Sequence, residues 1–304
     1  MDPVALLVNP SAGGGRAAGL RVRAEAVLHE LGVPFHAHDT RDLDDARELA
    51  RRAARAGEVV ATLGGDGLAA CVADVLREPP VGTLAVLPGG RGNDLARVLG
   101  LPREIEPATA LLAHGVPRTI DLGEARPASG GPGRAFVGIA SLGFDSEANR
   151  IANAAPSRLG NLVYAYGALR ALATWRSARF ALTVRSGNAV ERLESVGYTV
   201  AAANSGAYGG GMMLAPDARL DDGLLDVVTI GNVGRVRFLR TLPKVFAGNH
   251  VHEPGVEVLR AQEVEVDADR PFTVYADGDP IGETPIVVRA LPGAVHVLVP
   301  PEAT

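Results

Sequence analysis

The sequence predicts an α/β fold: a doubly wound parallel-sheet domain at the N-terminus, a β-sandwich-like domain after it, and a cleft between the two. Three observations carry this expectation. As far as Asp121, short apolar runs alternate with stretches of helical spacing, the pattern of repeated βα units around a parallel sheet. Glycine-rich turns stand where three of those apolar runs end, and ligands of such sheets bind beyond the carboxyl ends of the strands. After Asp121 strand-like runs follow one another with few helices between them, which points to an antiparallel sandwich or barrel.

In chain order, residues 4–8 form a continuous apolar run that leads into Asn9-Pro10 and a glycine cluster, and 17–31 then has helical spacing. Residues 33–38 read as a second strand, 43–56 as a second helix, and 59–63 as a third strand that enters Gly64-Gly65-Asp66-Gly67 directly. A helix over 68–77, a strand over 83–87, another glycine loop and a helix over 94–99 complete the series. The Gly-, Pro- and Ser-rich stretch 125–133 marks a boundary, giving a nucleotide-type domain over 1–124 and a β-rich domain over 125–304, whose last strand or tail is allowed to return to the first. Strands are expected there over 134–139, 179–184, 195–203, 224–230, 256–266, 272–276 and 286–291, with helices over 158–175 and 235–247.

Composition narrows the class. With 47% hydrophobic and 21% charged residues, disordered, collagen-like and coiled-coil chains are excluded. A net charge of −5 argues against a nucleic-acid binder with a wholly basic surface, so no nucleic-acid partner is expected. The single cysteine, Cys71, cannot form an internal disulfide, which fits a reducing, cytoplasmic setting. No signal peptide and no long apolar span is read.

The chemistry concentrates in three turns: 9–16, Gly64 to Gly67, and 88–94. A glycine turn after a buried strand lets backbone N–H groups approach a phosphate, and the helix that follows adds a partial positive charge. Asp66 and Asp94 stand in two of these turns, and Mg²⁺ takes one or two carboxylates together with phosphate oxygens. Each aspartate also has a plain role open to it, fixing a turn or capping the helix over 94–99. Gly13, Gly15 and Ala18 match a dinucleotide fingerprint, with Asp39 at ribose-binding distance, which leaves an oxidoreductase as a competing reading.

Taken together, these motifs resemble those of the diacylglycerol kinase catalytic domain family, which includes bacterial lipid kinases, sphingosine kinases and ceramide kinases. Asn9-Pro10 with Gly13 and Gly14 resembles the family's opening nucleotide loop, Gly64 to Gly67 its G-G-D-G-T motif, and 87–97 its P-x-G-T-x-N-D stretch. Asp121-Leu122-Gly123, the segment 215–226 and Asp277-Gly278-Asp279 resemble three further family motifs, in the same order along nearly the whole chain.

The resemblance implies transfer of the γ-phosphoryl group of Mg-ATP to a lipid hydroxyl, with diacylglycerol as the expected substrate. It implies nucleotide contacts at Asn9, Gly13, Gly14, Thr40, Gly64, Gly65, Asp66, Gly67, Gly90, Arg91 and Asn93. It places Asp66, Asp94 and Asp121 in a network around catalytic Mg²⁺, and a second, structural Mg²⁺ at Asp222 with the carbonyls of Arg219 and Leu224. Asp279 takes the place of the family's general base. Three positions depart from the pattern: Leu68 and Arg91 stand where the family has threonines, and Asp279 is one methylene shorter than the usual glutamate. The seven histidines show no metal-ligand spacing.

A kinase of membrane lipids needs a surface that touches the bilayer from its cytoplasmic side. Leu159, Leu162, Val163, Tyr166 and Leu169 share a helical face near Arg158, Arg170, Arg176 and Arg179, a combination suited to transient contact with anionic headgroups. Arg235, Arg237, Arg240 and Lys244 beside Phe238, Leu239, Leu242 and Phe246 form a second basic amphipathic stretch. A homodimer is left open. The alternatives are a phosphotransferase of the NAD kinase type, whose fold is related and which also uses G-G-D-G, the oxidoreductase, and a catalytically impaired nucleotide-binding regulator.

Overall fold

The computed structural model describes residues 2–155 and 162–301. Its first half is built on four parallel strands, β1 (Val4–Val8), β2 (Phe35–Asp39), β3 (Val59–Gly64) and β4 (Thr83–Pro88), in the order β2-β1-β3-β4. Side chains alternate across the sheet. Val4, Leu6 and Val8 meet Leu28 and Ile105 on one face, while Ala5 and Leu7 meet Val72 and Leu76 on the other. Those faces are covered by α1 (Arg16–Glu30) and α5 (Ile105–His114), and by α2 (Leu43–Arg55) and α3 (Asp66–Leu76). Burial on both faces is why β1, β3 and β4 read as continuous apolar runs. Asp42 opens α2 by accepting the Asp45 N–H at 2.8 Å. A short α4 (Asp94–Val98) follows the third glycine loop.

β5 (Val116–Pro127) leads into the second half, which holds β6 (Arg134–Phe136), β7 (Ile139–Gly143), α6 (Phe144–Ala154), α7 (Leu162–Thr174), β8 (Ala178–Ser186), β9 (Ala189–Ala203), β10 (Leu225–Gly231), α8 (Arg235–Val245), β11 (Val256–Ala261), β12 (Glu263–Ala268), β13 (Thr273–Ala276), β14 (Asp279–Glu283) and β15 (Ile286–Val299). Its core is aromatic: Tyr198 stacks on Phe238 with centroids 4.0 Å apart, and Phe144 meets Phe238 edge-on at 4.8 Å. β15 pairs antiparallel with β5 along its length and then parallel with β4 through His296 and Val297. The result is one continuous sheet with the path β14-β13-β7-β9-β8-β12-β15-β4-β3-β1-β2.

The fold class stands as expected, a parallel α/β half followed by a sandwich-like half, with corrections to individual elements. The run 134–139 is two strands, because the N–H groups of Val137 and Gly138 turn to the Asp277 carboxylate at 2.8 and 2.9 Å. The run 256–266 is also two: β11 pairs with β10, and β12 with β8 and β15. α3 begins at Asp66 rather than 68. α5 and α6 were not expected, nor was β5 as a strand; the proline in α5 falls in its first turn, where it is tolerated. Arg158 and Leu159 lie outside the described residues, and Phe238 of the second basic stretch is buried. No helix among the described residues is long and apolar enough to cross a membrane.

Candidate active site

Beyond the carboxyl ends of β1, β3 and β4 the three glycine loops meet backbone to backbone. Gly89 N–H donates to the Gly64 carbonyl at 2.9 Å. A methyl group on Gly90 would lie 2.5 Å from Gly65 Cα, and one on Gly13 would lie 2.6 Å from the Gly89 carbonyl oxygen, with Gly13 itself at φ +62. Only residues without Cβ allow loops to close this far. α3 starts at the same point, so the N–H groups of Asp66 and Gly67 face outward without intrahelical acceptors. That combination is a cradle for phosphate.

Other residues of the expected set shape these loops. Asn9 Oδ1 accepts the Ser11 N–H at 3.1 Å. Asn93, at φ 52, accepts the Gly90 N–H at 2.9 Å and donates to the Gly90 carbonyl at 3.1 Å, so Gly90's own N–H is already engaged. Thr40 is buried, and both its N–H and its hydroxyl donate to the Val8 carbonyl, at 2.7 and 3.1 Å. Leu68 is turned beneath the second loop into the core, which makes it a packing residue where the family has a hydroxyl. Arg91 is exposed at the tip of the third loop. Asp39 is engaged by Arg21 at 2.8 Å, which weakens its reading as a ribose ligand.

Four aspartates gather under these loops. A methyl group on Gly92 would lie 3.0 Å from Asp66 Oδ2 and 3.2 Å from Asp94 Oδ2, and one on Gly67 would lie 3.1 Å from Asp279 Oδ2. Asp66 Oδ1 accepts the Leu95 N–H at 3.1 Å, and burial pushes its pKa up. Asp94 is buried; its Oδ2 accepts the Gly210 N–H at 2.7 Å, and its Oδ1 accepts no hydrogen bond among the described residues but lies 3.5 Å from Arg97 Nε. Burial also raises the pKa of Asp279, against the pull of Arg134 and Arg47. Asp277 was named only within the motif that carries Asp279 and was given no role, yet burial, opposed by its two N–H donors and reinforced by Asp66 and Asp279, pushes its pKa up to about 7. Reasoning on sequence also missed the turn from Tyr208 to Met212, which carries Gly210 to Asp94; its Gly209-Gly210-Gly211 run was the available signal.

The comparisons with known proteins decide the family. Residues 3–125 match the diacylglycerol kinase catalytic domain and residues 138–299 the YegS C-terminal NAD kinase beta sandwich-like domain. A diacylglycerol kinase of Mycobacterium tuberculosis is 34% identical over 98% of this chain and 95% of its own length. The chain belongs to the diacylglycerol kinase catalytic domain family. It is a kinase, and lipid kinases are its relatives: a probable YegS-like lipid kinase of Pseudomonas aeruginosa is 32% identical over 94% of this chain and 92% of its own. A solved structure, a putative diacylglycerol kinase of Bacillus anthracis str. Sterne, shares the fold with a TM-score of 0.77 at 23% identity, over 99% of this chain and 98% of that one.

The family implies two magnesium sites, and this kinase's residues fit them unequally. At the first, the buried Asp94 Oδ1, which accepts no hydrogen bond among the described residues and has Arg97 Nε at 3.5 Å, lies beside the Asp66 carboxylate, and hard oxygens of this kind suit Mg²⁺. Asp121 is not placed with them: its carboxylate accepts the N–H groups of Gly223 and Gly293, both at 2.7 Å, so it ties two loops together instead of offering free oxygens. The expected structural site does not fit. Asp222 accepts from Arg260 Nη2 and from the Leu224 N–H at 3.1 Å, and Arg260 Nε reaches buried Asp226 at 3.2 Å. A guanidinium stands where the cation was expected.

Proposed function

We propose that this kinase transfers the γ-phosphoryl group of Mg-ATP to the free hydroxyl of diacylglycerol, forming phosphatidic acid. One observation carries the reading: three backbone loops, the Asp66–Asp94 pair and Asp279 converge at one end of the parallel sheet. The Mycobacterium tuberculosis and Bacillus subtilis relatives, both named diacylglycerol kinases, support the choice of lipid.

Phosphoryl transfer asks a protein mainly for alignment and charge neutralisation, because its transition state is loose. The N–H groups at the start of α3 and of the glycine loops hold the phosphate chain. Asp66 and Asp94 would hold Mg²⁺, which when bound offsets charge on the phosphate oxygens. Asp279 takes the proton of the attacking hydroxyl as its oxygen bonds to the γ-phosphorus and the bond to the ADP oxygen breaks. A raised pKa suits a base, since it increases the carboxylate's affinity for the proton it takes.

The test is incubation with labelled ATP, Mg²⁺ and a panel of diacylglycerol, ceramide, sphingosine, phosphatidylinositol and NAD, followed by product separation. Phosphatidic acid is the expected chief product; phosphorylated NAD as the chief product would replace this reading with the NAD kinase type. Asp279→Asn is expected to lower kcat by about 10²–10⁴-fold with ATP binding retained, and full activity in that variant removes Asp279 from the mechanism. Asp66→Ala is expected to lose use of Mg-ATP.

A further inference from the structure

Asp94 is held from the other half of the molecule by a turn that cannot hold itself. The turn runs from Tyr208 to Met212, whose backbones exchange two hydrogen bonds of 2.9 Å. Between them stand Gly209, Gly210 and Gly211, at φ +61, +86 and +105, a run with no side chain to fix it and the most backbone freedom to lose on folding. Two contacts nevertheless require it to stay in place. Gly210 N–H donates to Asp94 Oδ2 at 2.7 Å. A methyl group on Gly211 would lie 3.3 Å from Arg97 Cζ, and Arg97 Nε is 3.5 Å from Asp94 Oδ1. The Gly210 bond engages one carboxylate oxygen and thereby sets the direction of the other.

The tie comes from the side chain that begins the turn. The Tyr208 hydroxyl donates to the Asp145 carboxylate, 3.1 Å from both oxygens, and Ser141 Oγ donates to the same group at 2.6 Å. Asp145 lies in the first turn of α6, where an acid is favoured, and Ser141 is buried on β7. The acceptor is thus anchored to two regular elements, while Tyr208 and Met212 rest against the apolar cluster of Ile139, Ala201 and Leu214. Neither Tyr208 nor Asp145 hydrogen-bonds to Asp66, Asp94 or Asp279 among the described residues. We propose that Tyr208 and Asp145 are positioning residues for the magnesium site: they fix the glycine turn, which keeps the Gly210 N–H on Asp94 Oδ2 and leaves Asp94 Oδ1 aimed at the cation. This role rests on the reading of Asp66 and Asp94 as the Mg²⁺ carboxylates, and adds to it two residues that act on the metal only through Gly210.

The experiment is calorimetric titration of Mg²⁺ into the protein saturated with a non-hydrolysable ATP analogue, which reads the site whatever the lipid substrate. Tyr208→Phe, which keeps the ring and removes the hydroxyl, is expected to weaken Mg²⁺ roughly tenfold, the scale on which groups behind a metal ligand act. The Gly210 amide is expected to lose roughly tenfold in protection from deuterium exchange in the same variant. Tyr198→Phe removes a hydroxyl bonded to the Val233 carbonyl at 3.0 Å in the same half, and is expected to change neither quantity. Asp145→Ala is expected to behave as Tyr208→Phe does, and Asp145→Asn, which still accepts from Tyr208, to stay within about threefold of the unaltered protein. Combining Tyr208→Phe with Asp145→Ala is expected to add little to either alone; losses that multiply to about a hundredfold would show two independent effects and overturn the proposal. Unchanged Mg²⁺ affinity in Tyr208→Phe overturns it too, and a raised KM for diacylglycerol in that case would place the hydroxyl in the substrate path. So does an equal loss in Tyr198→Phe. Failure of the unaltered, nucleotide-saturated protein to bind Mg²⁺ would overturn the Asp66–Asp94 reading itself, and the positioning role with it, whereas Mg²⁺ affinity that falls as expected in a protein inactive on every lipid counts against the proposed reaction alone.

Discussion

At position 277 the backbone sits in the left-handed region, φ 51, and the carboxylate it carries is spent on the N–H groups of Val137 and Gly138. Asp279, two residues on, faces Gly67 instead, so the two carboxyl groups of one turn divide between holding it and facing the second glycine loop. Burial raises Asp277 from 3.8 to about 7. Between those values the folded protein binds the proton that the unfolded chain releases, so the stability from this group is fully present below pH 3.8 and lost as pH rises through about 7. Asp277→Asn, which tolerates the same backbone conformation, is expected to flatten the fall of Tm across that window; an unchanged slope in thermal melts would remove Asp277 as its source. Arg260 gives a second prediction. If its guanidinium neutralises Asp222 and Asp226, the melting temperature without nucleotide is insensitive to chelators, and Arg260→Met costs about 1–2 kcal/mol, tempered by the exposure of the arginine. That variant, unlike the parent, is expected to regain stability on adding Mg²⁺. A parent protein that loses stability in a chelator would restore the metal at Asp222.

Among the elements, the glycine loops are positioned by each other as much as by their strands. Gly90→Ala would press a methyl group against Gly65 backbone at 2.5 Å, and backbone cannot swing aside as a side-chain tip can. The expected cost is about 1–3 kcal/mol with a raised KM for ATP, whereas Gly19→Ala, on α1 with open space around it, is expected to stabilise by up to about 1 kcal/mol. Equal KM values in the two variants would show that the loops need not touch. These loops were legible in the sequence because a parallel strand buried on both faces writes itself as an unbroken apolar run, as at 59–63 and 83–87, and ends abruptly in glycine. β5 was not, because VPRTIDLGEARP mixes exposed and buried residues with prolines at both ends. Nor was α6, whose apolar stripe of Phe144, Ala148, Ile151 and Ala152 is half alanine and set in the otherwise polar FDSEANRIANA. Pairings across long separations were out of reach altogether: nothing near Asp94 announces Gly210, and nothing near Asp222 announces Arg260. The resemblance gave Asp66, Asp94 and Asp121 as one set, and only coordinates separate Asp66 and Asp94, which face Gly92, from Asp121, which holds Gly223 and Gly293.

Over the whole molecule, the two halves are joined by a shared strand and by buried charge. β15 is hydrogen-bonded to β12 on the sandwich side and to β4 on the nucleotide side. Asp94 of the first half accepts from Gly210 of the second, Asp121 accepts from Gly293 at 2.7 Å, and buried Glu124 takes Arg289 at 2.7 Å and Arg77 at 3.2 Å. Separating the halves would break the bonds of Asp94 to Gly210, Asp121 to Gly293 and Glu124 to Arg289, at about 1 kcal/mol each, and would leave β4 with an open edge. Chains of this length often unfold domain by domain, but these couplings favour a single transition. Trp175, the sole tryptophan, lies in the aromatic core of the second half, while the phosphate loops belong to the first. Tryptophan fluorescence and far-UV circular dichroism are therefore expected to melt at one temperature. Mg-ATP at about a hundred times its Kd, worth about 2.7 kcal/mol, is expected to move both midpoints upward together, although it touches nothing near Trp175. A fluorescence midpoint that stays put while the dichroism splits into two steps would mean that the halves fold separately and that β15 is a tether, not a shared strand.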